Sequence, residues 1–498
     1  GAITLAEDST VISSSGQQTI SGAISGGSKA LTVTYTDNLT LSGGATSLSS
    51  LSVTSSTASK TLTISNNISS SGDQTYTAPG GIVFSGGRTL TSSSGTIYTT
   101  SAASGNNNLT ITGNARIGGA ITGVINFSVS GTSNLEANVT STGTQVYTGN
   151  VTLSNSDRTL SAGAGTSTVT ANGTISGAYS LTITGNAVLG NELTDTIILT
   201  GTGKNLLVSG TTNIYTGTIT TPGTQTYTGA VTLSNTRTAT LTTTNNNIVF
   251  SSSIAGVGKN LTLNSGTGTI SVTGAVGSTS NGLGTIIIAN SNGTTFLSTV
   301  DAAAVVLTNT SGTITFTGNA TITSATGLVT TANGYNIIFT GGTNSIAGIT
   351  TFNNSGYITL GDSGDTTSFV AGLTATAPSQ VNIGGTVSTT NTPISIGDSG
   401  TPIVLTSNST ISSGTGSNTL GGIINGAFTL DVNSTGTTTL SGIIGGTTAL
   451  TSLTTNTGGT TAINGGSVRT TGAQTYGDAV ETTEEIWDKT LDVNVKSM

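Results

Sequence analysis

Short runs in which an aliphatic residue alternates with threonine, each closed by a glycine-containing turn, recur along most of the chain. Leu31-Thr32-Val33-Thr34, Thr61-Leu62-Thr63-Ile64, Leu109-Thr110-Ile111-Thr112 and Leu181-Thr182-Ile183-Thr184 are examples, and Leu261-Thr262-Leu263 continues the series. Alternation with a period of two sends aliphatic side chains to one face of a strand and threonine to the other. Threonine is β-branched and suits an extended backbone. Gly-Gly, Ser-Gly, Thr-Gly and Asn-Gly pairs bound the runs and mark turns. No helical periodicity precedes residue 481, so the chain is predicted to be all-β.

The runs are ordered at longer range. Gly-x-Gln-x-Tyr ends at Tyr76, Tyr147, Tyr227 and Tyr476, and the interval from Tyr76 to Tyr147 is shorter than that from Tyr147 to Tyr227. Strands beginning at Leu109, Leu181 and Leu261 follow the first three tyrosines at an almost constant distance. A shorter unit, a Gly-rich turn leading into a strand, recurs at Ile24-Ser25-Gly26, Ile175-Ser176-Gly177, Ile254-Ala255-Gly256, Ile424-Asn425-Gly426 and Ile444-Gly445-Gly446. Repeats of short strands and tight turns point to a β-solenoid. With ~20 to 25 residues per turn of the solenoid and ~4.8 Å between turns, residues 1–480 are expected to make ~20 turns and a rod of ~100 Å. Repeated Asn and Thr at the turns are expected to form hydrogen-bonded ladders.

Composition narrows the chemistry. Of 498 residues only 6% are charged and 4% aromatic, whereas 72 are glycine. Such a chain has few large side chains for an ordinary core and too little charge for a solvated disordered segment. It has no Cys and no His, which removes disulfides, thiolate sites and the commonest general base and metal ligand. The net charge is −8, and no Lys or Arg lies between Lys259 and Arg469, so nucleic acid is a poor partner. No apolar run reaches the ~20 residues of a membrane helix. The chain starts at Gly1 with neither Met nor a signal-peptide pattern, and is expected to be a processed or excised piece.

Gly-Thr-Gln-Thr-Tyr-Thr-Gly-Ala-Val-Thr-Leu, ending at Leu233, resembles the repeats of filamentous-haemagglutinin-type exoproteins and autotransporter passengers, and so does the stretch 446–480. The resemblance covers most of residues 1–480. It implies a right-handed parallel β-helix carried across a bacterial outer membrane and displayed extracellularly or on the cell surface. Neither an Asn-Pro-Asn-Gly-type secretion motif nor a C-terminal membrane barrel is found. Residues 481–498 are a different kind of sequence, holding 7 of the 30 charged residues, the only Trp and the only Met. Thr482 and Glu485 suit a capping box, and Ile486, Trp487, Thr490 and Leu491 one helical face. The stretch resembles the short-chain-dehydrogenase helix that carries an active-site Asn, at Asn494. The rest of that family's pattern is missing, so no activity is carried over. The tail is expected to be a fusion, a frame change or a cap.

No motif assembles a catalytic site, and no cofactor is implied. Gly203-Lys204 and Gly258-Lys259 lack the earlier glycine and the following Ser or Thr of a phosphate loop and are read as turns. Asp362, Asp365 and Asp398 stand in acidic Gly-rich turns and are the candidate Ca²⁺ ligands if any cation binds, although the required nonapeptide pattern is not sustained. Asp362 and Asp365 are also the nearest close carboxylate pair in the array, with no basic partner for hydrolysis. Tyr76, Tyr147, Tyr227 and Tyr476 suit either a carbohydrate-binding stripe or, more simply, packing. Thr-x-Thr arrays lack the regular spacing of an ice-binding lattice, and the many Asn-x-Ser/Thr sequons follow from composition. The expectation is a non-enzymatic structural or adhesive protein whose partners are a host or neighbouring-cell glycan, a matrix protein or copies of itself. The rivals are a self-assembling extracellular fibre and, more remotely, a polysaccharide-degrading β-helix.

Overall fold

The structure, a computed structural model, describes residues 1–234 and 238–482. All described secondary structure is β, and parallel strands stack as a β-solenoid of about 22 turns in all. The chain divides into two compact units, Gly1–Thr244 and Asn245–Met498.

In the first unit each turn contributes three short strands to three parallel sheets, here faces A, B and C. Phe127–Val129, Gln145–Tyr147 and Thr168–Ala171 succeed one another on face A. Ser133–Leu135, Val151–Leu153 and Ile175–Gly177 do so on face B, and Val139–Ser141, Arg158–Ser161 and Leu181–Thr184 on face C. Two longer strands, Arg88–Thr99 and Leu109–Ile117, bend at a register shift and serve faces A and B in turn. The alternation read from sequence sets which side points inward. In Leu181–Thr184, Leu181 and Ile183 are fully buried and Thr184 is exposed. Each inward Leu, Ile or Val removed from water contributes about 1.5–3 kcal/mol.

Turns vary in length. Phe127 stacks on Gln145 across a short turn, whereas Leu181 stacks on Leu206 across a longer one. Corners absorb the difference, because strand register must be kept while a corner can bulge outward. A corner N–H points along the stack and is satisfied by an Asn or Asp side chain of the preceding turn. Asn126 Oδ1 accepts from the Thr144 N–H (2.8 Å), Asn150 from Thr174 (3.0 Å) and Asn205 from Thr224 (2.7 Å). Asp157 does the same for Ser180 (2.9 Å). The ladders are therefore mainly side chain to backbone. A direct amide–amide rung joins Asn126 to Asn108 (3.0 Å).

The second unit is built alike. Thr294–Phe296, Thr313–Phe316 and Asn336–Phe339 share one face, and their phenylalanines stack inside with ring centroids 5.2 and 4.7 Å apart. That distance is close to the strand spacing, so parallel rings fit without strain. Corner amides recur here as well, with Asn260 accepting from Thr285 and Asn391 from Thr415. The last described strand, Ala479–Thr482, pairs with Thr460–Ile463 and takes in Glu481 and Thr482. The predicted capping and helical residues beyond it, Glu485 to Asn494, lie outside the described residues.

The corner amides predict a specific mutational contrast. Asn186 accepts the Thr211 N–H (3.0 Å) and hydroxyl (2.9 Å) and donates to Gly165 O (2.7 Å) and Ser167 O (3.1 Å). Asn186→Ala is expected to cost about 1–1.5 kcal/mol in urea denaturation. Thr182→Val, an outward change in mid-strand, is expected to stay within about 0.5 kcal/mol. Equal effects would contradict the role given to the corner.

Candidate functional site

The four marker tyrosines point inward. Tyr76, Tyr147 and Tyr227 are fully buried, and Tyr476 is half-buried. Gln and Tyr stand two apart in the strand and share its inner side. Each tyrosine hydroxyl donates to the carboxamide oxygen of its Gln, over 2.7 Å at Gln74, 2.9 Å at Gln145, 3.1 Å at Gln225 and 3.1 Å at Gln474. The amide nitrogen then serves the corner. That of Gln145 donates to Val139 O (3.1 Å) and Ser161 O (2.7 Å), and that of Gln225 to Ile219 O (3.1 Å) and Thr242 O (2.9 Å). A buried amide is costly unless such bonds are made.

A residue not singled out from the sequence completes the motif. Four positions before each Gln, a Ser or Thr hydroxyl donates to the glycine carbonyl two positions on: Ser70 to Gly72 (2.6 Å), Ser141 to Gly143, Thr221 to Gly223 and Thr470 to Gly472 (each 2.7 Å). The glycine is required, because a Cβ at Gly143 would run into Asn126 of the turn below. The readable signal was the shared pattern Ser/Thr-x-Gly-x-Gln-x-Tyr.

These tyrosines do not form a stripe. Tyr76 lies on face B, Tyr147 on face A and Tyr227 on face C. Each repeat spans eleven strand positions, counting the two bent strands twice, and three positions make a turn. The motif therefore advances by three and two-thirds turns and visits each face in succession. Burial and this rotation together leave no line of tyrosines for a saccharide.

The acidic turns do not converge either. The Asp365 carboxylate accepts the Asp362 N–H (3.0 Å), and burial, with the adjacent Asp362, raises its pKa. Asp398 accepts the Gly400 N–H (2.8 Å) in the turn after Ile394–Ile396, at a different corner of the second unit. Among the described residues no three His, Cys, Asp or Glu side chains group as metal ligands, and no helix is long and apolar enough to cross a membrane.

Chemistry concentrates instead on the edge where face B turns into face C in the first unit. All three ion pairs of the described residues lie there: Lys60–Asp37 (2.9 Å), Arg116–Glu136 (2.8 Å) and Lys204–Asp157 (3.0 Å). So do both cation–aromatic contacts. The Arg116 guanidinium is 4.2 Å from the Tyr98 ring centre and the Lys204 ammonium 5.7 Å from that of Tyr179. Tyr98 and Arg116 are neighbours in register on successive strands. The ion pair favours the charged form of Arg116, and the Ser180 N–H and Lys204 lower the Asp157 pKa. Sequence reasoning missed this grouping because its members lie one or two whole turns apart along the chain, and no fixed period predicts which corner each reaches. No family model, curated protein or solved structure matches the chain.

The buried phenols predict an alkaline transition. Burial raises Tyr76, Tyr147 and Tyr227 far above the ordinary value of 10.0, and Tyr476 to about 12. A raised folded pKa contributes stability that is complete below about pH 10 and is lost as pH rises toward the folded value. Denaturation midpoints are expected to fall steadily above pH 10, and less steeply in Y76F/Y147F/Y227F. Identical alkaline slopes in the two proteins would refute this.

Proposed function

We propose that the chain is a secreted or cell-surface structural and adhesive repeat protein, of the filamentous-haemagglutinin or autotransporter-passenger kind, acting by multivalent contact. The observation that carries the reading is where the polar side chains go. The buried Gln, Tyr, Ser and Asn side chains bond mainly to one another and to the backbone at corners, while outward positions repeat small hydroxyl side chains. No grouping among the described residues offers a nucleophile, a base and an oxyanion donor together. Repeated weak contacts along such faces add through effective concentration. Solenoid turns interact mainly with their neighbours, so internal fragments of several turns should fold.

Nested fragments cut before Gln145, Gln225 and Gln474 are expected to bind immobilised matrix protein or cell-surface glycan weakly, and longer ones more tightly. Absence of binding by every fragment and by the whole chain would contradict the adhesive reading. Polymerisation of all fragments without binding would replace it with the fibre.

A further inference from the structure

The charged edge of the first unit does something that stacking does not require. The second unit builds the same kind of turns with no ion pair and no cation–aromatic contact among its described residues. Charged side chains are scarce in this chain, yet on this edge they fall on consecutive turns. Tyr98, Arg116, Glu136, Asp157, Tyr179 and Lys204 occupy six successive levels on face B or the corner that follows it. At about 4.8 Å per level the line is ~24 Å long.

A groove and an open surface patch lie along it. The groove, of about 210 Å³, is lined by Thr96, Asn114, Arg116, Thr132, Asn134 and Thr152. Within it the outward-pointing Asn134 carboxamide oxygen is buried and lacks a hydrogen-bond partner. The patch, shallow and open to solvent, is formed by Asn155, Ser156, Asp157, Tyr179 and Lys204.

We infer that this edge binds a linear, uncharged, hydroxyl-rich glycan lying along the stack. The inference rests on the contact function proposed above and gives that function a place and a ligand class. Each part of the site matches the chemistry. Face B strands lie inside a sheet and spend their backbone groups on the ladder, so an added peptide strand has nothing to pair with. Recognition must come from side chains, and those present are hydroxyls, amides and closed ion pairs. Three cations, Arg116, Arg158 and Lys204, face two carboxylates, Glu136 and Asp157, and the Arg158 guanidinium is already bonded to the Ser154 carbonyl and the Ser156 hydroxyl, so the edge carries one net charge, too weak a field to select a polyanion. Their remaining N–H groups and lone pairs suit sugar hydroxyls, which both donate and accept. The unpartnered Asn134 oxygen gains a partner on binding. An extended pyranose chain advances by about one strand spacing per sugar, so successive residues meet equivalent levels.

Calorimetry of the whole chain with cellohexaose, mannohexaose and xylohexaose, their trisaccharides and hexagalacturonate tests this. At least one neutral hexasaccharide should bind, at least about tenfold more tightly than its trisaccharide. Tyr98→Ala/Tyr179→Ala should weaken it about tenfold or more with unchanged circular dichroism. Lys204→Met, which keeps the aliphatic stem, should weaken it about tenfold through the lost charged hydrogen bond. Tyr215→Ala, at another corner, should not. Failure of all three neutral hexasaccharides to bind, or binding only of hexagalacturonate, overturns the inference. Binding that survives both Tyr98→Ala/Tyr179→Ala and Lys204→Met also overturns it, while leaving the contact function standing; that function falls only if the fragment experiment is negative throughout.

Discussion

The bond from a corner amide or carboxylate to the N–H one turn further on is the interaction that the rest of the structure depends on. Parallel strands satisfy their own backbone through the ladder, but a chain that changes direction three times per turn must leave the ladder at each corner. Most corners are exposed, and there a side-chain acceptor takes the place of water on the freed N–H and ties one turn to the next. Asn and Asp meet the need because the side chain is short and its oxygen reaches one strand spacing. Asn38 to Thr61, Asn138 to Thr159, Asn319 to Thr343 and Asn408 to Thr429 repeat the solution in both units. Once corners are satisfied this way they can vary in length, and a short turn from Phe127 to Gln145 coexists with a long one from Leu181 to Leu206. Variable corners in turn let individual side chains such as Glu136 and Asp157 be added to the surface without disturbing the interior.

The interior uses a second device. A solenoid core is narrow, and most of it is filled by Leu, Ile, Val and Ala. At the four marker tyrosines the hydroxyl is partnered by a Gln two positions earlier, and the Gln145 and Gln225 amides also each tie two carbonyls of neighbouring strands. The second unit carries one such pair, Gln474 and Tyr476, and also uses buried Asn: Asn344 accepts the Ala320 N–H (3.0 Å) and donates to Gly341 O (2.8 Å). These polar groups sit inside for structural reasons, and the tyrosines of the first three copies of the most conspicuous sequence repeat are consequently hidden from solvent.

Much of the fold was legible. Alternation in Leu109–Thr112 and Leu181–Thr184 gave the strands and their inward sides, and the turn signals gave a solenoid of nearly the observed number of turns. What could not be read was angular position. Tyr76, Tyr147 and Tyr227 recur in sequence as if equivalent, yet they fall on three faces, because two-thirds of a turn is left over at each repeat. For the same reason Arg116 and Glu136, or Asp157 and Lys204, give no sign in sequence that they meet. A long-range contact of this kind depends on summing several variable corners, and an error of one corner moves a residue to another face. The acidic turns at Asp362, Asp365 and Asp398 illustrate the converse: they look alike in sequence, but they occupy two corners.

Hydrogen exchange at corner amides tests the central role of these bonds most directly. The N–H groups of Thr144, Thr174, Thr211 and Thr224 lie outside the strand ladders, and each is accepted by an Asn side chain of the turn before. If these bonds hold the stack, the four amides exchange as slowly as the strand amides on either side of them. Exchange at the rate of a solvent-exposed loop, with the neighbouring strands still protected, would contradict the account.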